Sequence, residues 1–187
     1  MKTCFSLLLS AAVVALGSCN VSQAQGRSRM AIAGDGTRAV CVLEPIAKSG
    51  VTGTLLFDMV GNHVHISGKI SGLTPGKHGF HVHQFGDLSD SDKGESAGGH
   101  FNPHAMKHGA PDATTRHVGD LGNIEANSEG VAVVDQDDKL IKLTGGESII
   151  GRSIVVHEKA DTFVQPTGAA GGRVGVGIIG WANPKTK

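Results

Sequence analysis

From Thr37 onward the chain alternates apolar and polar positions in short runs, broken about every ten residues by Gly, Pro, Asn or Asp. A period of two puts successive side chains on opposite faces of an extended backbone, so each run reads as a strand with one face buried. Strands are predicted at 39–44, 52–59, 63–71, 79–84, 118–125, 131–136, 154–157 and 174–179. No ten-residue window carries a helical period. Eight short strands at this spacing predict an all-β fold, an eight-stranded antiparallel Greek-key barrel or sandwich. Two intervals break the rhythm, 85–117 and 158–172. Both are rich in glycine and polar residues, and both are predicted as long functional loops. The folded domain is read as 37–183, with no internal repeat and no second domain.

The first 36 residues have another character. An apolar run of 12 residues, 5–16, follows Met1-Lys2, against the roughly 20 needed to span a bilayer. Residues 1–24 therefore read as an export signal. Two processing readings stand side by side. Leu16-Gly17-Ser18-Cys19 has the form of a lipobox, which would make Cys19 an acylated amino terminus and a membrane anchor; Ser22-Gln23-Ala24 has the small-x-small form of ordinary cleavage. Either route delivers an exported protein, periplasmic or extracellular. Residues 20–36 read as a flexible linker with a reach of roughly 20 to 25 Å. Cys4 and Cys19 belong to the export segment, which leaves Cys41, inside a strand, as a small buried hydrophobe.

Composition narrows the function classes. At 187 residues and 39% hydrophobic the chain can build one core. Lys plus Arg and Asp plus Glu are 17 each, so no net field attracts nucleic acid or another polyanion. Tyrosine is absent and aromatics are 4%, too few for a base- or sugar-stacking platform. The unusual number is ten histidines.

In Gly79-Phe80-His81-Val82-His83-Gln84 the histidines stand at i and i+2, so both imidazoles leave one face of a strand about 7 Å apart. That is half of a metal site. The loop after it supplies His100, His108, His117 and Asp120, and three imidazoles with one carboxylate make a closed tetrahedral zinc set. His157, ending a strand, can join His81 and His83 at a second, imidazole-only site that suits copper. His63-Val64-His65 repeats the i, i+2 spacing without loop ligands behind it and reads as an exposed strand face. His104 reads as a loop surface residue, and His78 as a structural histidine bonded to backbone.

Taken together with His100-Phe101-Asn102-Pro103, Lys107-His108-Gly109, Arg116-His117-Val118-Gly119-Asp120-Leu121-Gly122-Asn123, Val155-Val156-His157-Glu158-Lys159-Ala160-Asp161 and Gly171-Gly172-Arg173, these motifs resemble the copper/zinc superoxide dismutases over about 37–182. The resemblance implies one copper per subunit on His81, His83, His100 and His157. It implies one zinc per subunit on His100, His108, His117 and Asp120, with His100 bridging the two metals. The implied reaction is dismutation of superoxide to dioxygen and hydrogen peroxide by copper cycling between Cu(II) and Cu(I), an antioxidant role outside the cytoplasm, with zinc structural. Arg173 matches the arginine that attracts the anion, and His100 the ligand that leaves copper to carry a proton. Asp161 matches the carboxylate that bonds one ligand from each site.

The resemblance also locates departures. Family members usually tie the metal loop to the last strand by a disulfide, and the matching positions hold Gly94 and Val176. A bridge over that span would contribute about 4.5 kcal/mol in the chain-entropy model. The loop 158–172 is short, with Phe163-Val164-Gln165-Pro166 where charged residues are usual. Phe85-Gly86, Ile150-Gly151 and Gly180-Trp181 match segments of the family's dimer contact, which implies a homodimer.

Overall fold

The computed structural model describes residues 37–184. The expected export signal, the expected acylation site at Cys19 and the linker 20–36 therefore lie outside the described residues. Eight strands follow one another along the chain: β1 (Arg38–Pro45), β2 (Thr52–Val60), β3 (His63–Ser71), β4 (Gly76–His83), β5 (Asp120–Ala126), β6 (Ala132–Asp138), β7 (Ser153–His157) and β8 (Arg173–Trp181). Every pairing is antiparallel, and the sheet closes on itself in the order β1-β2-β3-β6-β5-β4-β7-β8. Because β3 lies beside β6 while β4 lies between β5 and β7, the connections are of Greek-key type. Closure removes every sheet edge.

The predicted alternation is carried inward by Cys41 and Leu43 from β1, Leu55 and Phe57 from β2, Val64, Ile66 and Ile70 from β3, and Phe80 and Val82 from β4. A large side chain so buried contributes about 1.5 to 3 kcal/mol. Cys41 is the free cysteine among the described residues, and burial pushes its thiol up to about 12. That makes it a packing residue. Strands β2 and β3 approach so closely at Gly68, whose φ is +150°, that a Cβ there would stand 2.1 Å from the Thr54 carbonyl oxygen.

The element ends differ from those read in the sequence by up to three residues, and two of the shifts have a visible cause. Strand β4 begins at Gly76, three residues early, because Lys77 and His78 already pair with Glu125 and Ile124. Strand β5 begins at Asp120 and not at 118. The reason is that Gly119 bonds to the loop: the Val82 N–H donates to its carbonyl at 2.9 Å, and its own N–H donates to Phe101 at 2.9 Å. A single 3₁₀ turn, Glu95–Ala97, interrupts the first long loop.

That loop is fastened to the barrel by a buried ion pair. The Arg116 guanidinium donates to Asp138 at 2.5 Å and to the Asp120 carbonyl at 2.9 Å, while Asp138 also accepts the N–H groups of Leu140 and Ile141. Removing one partner of a buried pair leaves the other charge uncompensated. Arg116→Leu is expected to lower unfolding free energy by about 3 to 5 kcal/mol; an unchanged midpoint in urea denaturation would contradict this role.

Candidate metal centre

Within β4 the apolar core residues and the histidines alternate, so with Phe80 and Val82 in the barrel interior, His81 and His83 leave its outer face and are covered by the two loops. Register shifts between Gly79 and His81 on β4, and between Val156 and His157 on β7, re-aim these side chains, as bulges do beside sites. His100 is brought up by a bridge to His83, with the Gln84 N–H donating to Gly99 at 2.9 Å and the Phe101 N–H to Val82 at 2.8 Å. The Arg152 guanidinium lies 3.5 Å over the Phe101 ring and donates to the Gln84 carbonyl. The result is one connected group of rings, with His81 and His100 stacked at 4.0 Å between centroids and His83 5.6 Å from His157.

In each of three imidazoles one nitrogen is committed to a protein partner. His81 bonds Asp161 through Nε2 at 2.8 Å; His83 donates through Nδ1 to the Gly98 carbonyl at 2.9 Å; His157 donates through Nδ1 to the Gly171 carbonyl at 3.2 Å. The remaining nitrogens, His81 Nδ1, His83 Nε2 and His157 Nε2, are buried without a hydrogen-bond partner. With one nitrogen of His100 they form a set whose atoms all lie within 4.8 Å of one another. Four inward-facing imidazoles fit copper. A buried polar atom left unmet costs about 1 to 3 kcal/mol, so the set is built to be filled.

The second cluster surrounds one carboxylate. His100 Nδ1 and His117 Nδ1 stand 2.8 and 3.0 Å from Asp120 Oδ1, and His108 Nδ1 stands 2.9 Å from Oδ2. Those four donors also lie within 4.8 Å of one another. Three imidazoles and a carboxylate with no position left open fit a structural zinc. Since His100 commits Nδ1 here, Nε2 is its atom for the first cluster.

The comparisons with known proteins point the same way. A family model described as copper/zinc superoxide dismutase matches residues 51–179. The chain belongs to this family. An extracellular copper/zinc superoxide dismutase of Caenorhabditis elegans is 47% identical over 135 residues, covering 68% of this chain; the chain spans 60% of that relative's length. Superoxide dismutase [Cu-Zn] 5 of Dictyostelium discoideum is 49% identical over 150 residues, 75% of this chain and 95% of the relative. Among solved structures, the crystal structure of the clock protein EA4 is similar, with a TM-score of 0.73 and 43% identity over 78% of this chain and 95% of that one.

As a copper/zinc superoxide dismutase the chain is an oxidoreductase, and its cofactors are copper and zinc. The two groups of buried donors are the sets expected from the sequence, residue for residue. Asp161 joins them: Oδ2 meets His81 Nε2, and Oδ1 meets His108 Nε2 at 3.0 Å. Burial works to raise the Asp161 pKa, but the hydrogen bonds from His81 and His108 outweigh it and bring the carboxyl to about 2. In Asp120 burial is likewise outweighed, by His100 and the His117 N–H, and the carboxyl is held below its ordinary range. Burial lowers His81 to about 4 and His157 to about 3, and it also lowers His83 and His117. These four rings are neutral at neutral pH, as ligands must be.

Several supporting groups carried no sequence signal of their own. Asn123 fixes Asp161 by accepting its N–H at 2.7 Å and donating to its carbonyl at 3.0 Å. Gly168, at φ +81°, must be glycine, because a Cβ would stand 1.9 Å from Asp161 Oδ1. His78 does bond backbone, at 2.8 Å to the carbonyls of both Thr74 and His157. His104 pairs with Glu147 on the surface at 3.0 Å. At the disulfide positions, Val176 packs with Ile46, Ala97 and Val155, with Leu88 against them, while the Gly94 carbonyl accepts a hydrogen bond from Arg173.

Asp161 hydrogen-bonds one imidazole from each cluster, His81 of the first and His108 of the second. Asp161→Ala is expected to weaken copper and zinc retention by about 10- to 100-fold, read as metal transfer to a competing chelator; retention equal to that of the parent would contradict the link.

Proposed function

We propose that the chain dismutates superoxide at copper held by His81, His83, His100 and His157, beside zinc held by His100, His108, His117 and Asp120. The observation that carries this reading is the convergence of three buried, unpartnered imidazole nitrogens on His100, a residue that also belongs to the other cluster. Copper bound there supplies the one-electron couple that oxidises one superoxide and reduces the next. The chain's own part is access, charge and the proton. A cleft of about 270 Å³ reaches His83, His100 and His157 between Thr167, Ala169, Ala170, Gly171 and Arg173. Arg173 begins β8 opposite His157, and its guanidinium is held by the carbonyls of Gly94 and Gly98, the latter at 2.6 Å. It sets a fixed positive charge at the copper face of the cleft. His100 Nε2 would carry one of the two protons that the reduced product takes, the other coming from solvent water in the cleft.

Phe163 and Val164, in the short second loop, are exposed and apolar and add no attraction. Arg173 therefore bears most of it, and charge in a cleft raises the encounter rate of an anion. Arg173→Ala is expected to lower the second-order rate of superoxide decay at least tenfold with copper content unchanged; an unaltered rate in pulse radiolysis would remove Arg173 from the mechanism.

The relative from Caenorhabditis elegans is an extracellular enzyme, which supports export of this chain by residues 1–24. Placement in a periplasm, and attachment through acylated Cys19, rest on the lipobox form of residues 16–19. The intact mass of the native protein separates an acylated Cys19 from a plain amino terminus near residue 25.

A homodimer is supported by an apolar surface where the family segments fall. Phe85 and Ile178 are exposed, and a Cβ on Gly86 would touch both the Gly151 carbonyl and Ile178, so these segments are contiguous; Val42 on neighbouring β1 is exposed as well. Trp181 packs against the core. Sedimentation equilibrium is expected to give twice the chain mass, reduced to the monomer by Ile178→Glu; a monomeric parent would oppose the dimer.

A further inference from the structure

We propose a third metal site on the outer wall of the barrel, a surface site for Cu²⁺ formed by His63 and His65 of β3 with Asp137 of β6. The ten histidines divide unevenly: six form the buried clusters, His78 has both nitrogens against backbone carbonyls, and His104 meets only Glu147. His63 and His65 remain, and they lie together. In β3 they flank Val64, which is fully buried, as His81 and His83 flank buried Val82 in β4. The same His-Val-His spacing that supplies two ligands to the inner centre is thus presented to solvent here, with side chains 26% and 34% exposed.

What faces these rings is carboxylate. Strand β3 pairs with β6 so that His65 stands opposite Asp137. Asp137 Oδ1 lies 2.9 Å from His65 Nδ1 and 3.5 Å from His63 Nε2, so one oxygen is bracketed by both imidazoles. Asp135, on the same face of β6, lies 3.6 Å from His65 Nε2. On the other flank, Asp58 of β2 is in register with His65 but is taken by Arg38 at 2.5 Å. Two imidazole nitrogens and a carboxylate oxygen on adjacent strands, with water free to complete the set, offer mixed N,O donors, and such donors favour Cu²⁺ among divalent ions. The backbone spacing is fixed by the sheet, and closing the donors on an ion takes rotation of the half-buried His63 and His65 rings and of the exposed Asp137.

The test uses the mature holoprotein with both buried sites already filled. A further equivalent of Cu²⁺ is added, unbound metal is removed by gel filtration, and copper is counted together with the electron paramagnetic resonance spectrum. The parent is expected to retain one additional copper with its own N,O spectrum. His63→Gln with His65→Gln, and separately Asp137→Ala, are expected to weaken its binding by about tenfold or more, with superoxide decay unchanged as the control for folding. No additional copper in the parent, or an additional copper retained equally by the variants, would overturn the proposal.

Discussion

Three imidazole nitrogens, on His81, His83 and His157, are buried with no hydrogen-bond partner from the protein. In each ring the other nitrogen is committed, to Asp161, Gly98 and Gly171 respectively, which fixes the direction in which the unpartnered one points. The arrangement stores its cost in the metal-free chain and returns it on binding, which couples loading to the order of both loops. Much of the surrounding structure can be understood as holding those rings in place while keeping other partners away.

The closed barrel provides the rigid part. Strands β4 and β7 deliver three imidazoles of the first cluster directly, His81, His83 and His157, and the bulges beside them set the aim. The loops deliver the rest, and they are fastened one bond at a time: Arg116 to Asp138, Asn123 to Asp161, Gln165 to the backbone of His108 at 2.8 and 3.2 Å. Where the family usually has a disulfide, packing of Val176 with Ile46, Ala97 and Val155 occupies the position, and Arg173 links to Gly94 by a hydrogen bond. One guanidinium thereby orders the loop and supplies the cleft's charge.

The eight strands were legible because alternation and turn residues are local. Their ends were not, since Gly76 and Gly119 owe their states to pairing across the sheet and to loop bonds. All the residues of the two buried clusters were legible as chemistry-bearing types at telling spacings. Asp161 was not recoverable from spacing alone, standing 80 positions from His81 and 53 from His108, and only the family likeness located it. The carbonyls of Gly98 and Gly171 left no trace at all, because every residue carries one. His65 shows the converse: the sequence put it on an outward strand face, where its side chain is half-buried, and the carboxylates across from it come from β6, which register alone brings near.

The account rests on His100 serving both clusters, and the most direct measurement is a crystal structure of the oxidised, metal-loaded protein with anomalous data at the copper and zinc edges. It should place copper against His81 Nδ1, His83 Nε2, His157 Nε2 and His100 Nε2, and zinc against the Nδ1 atoms of His100, His108 and His117 with Asp120. A single occupied site, or His100 bonded to one metal only, would contradict it.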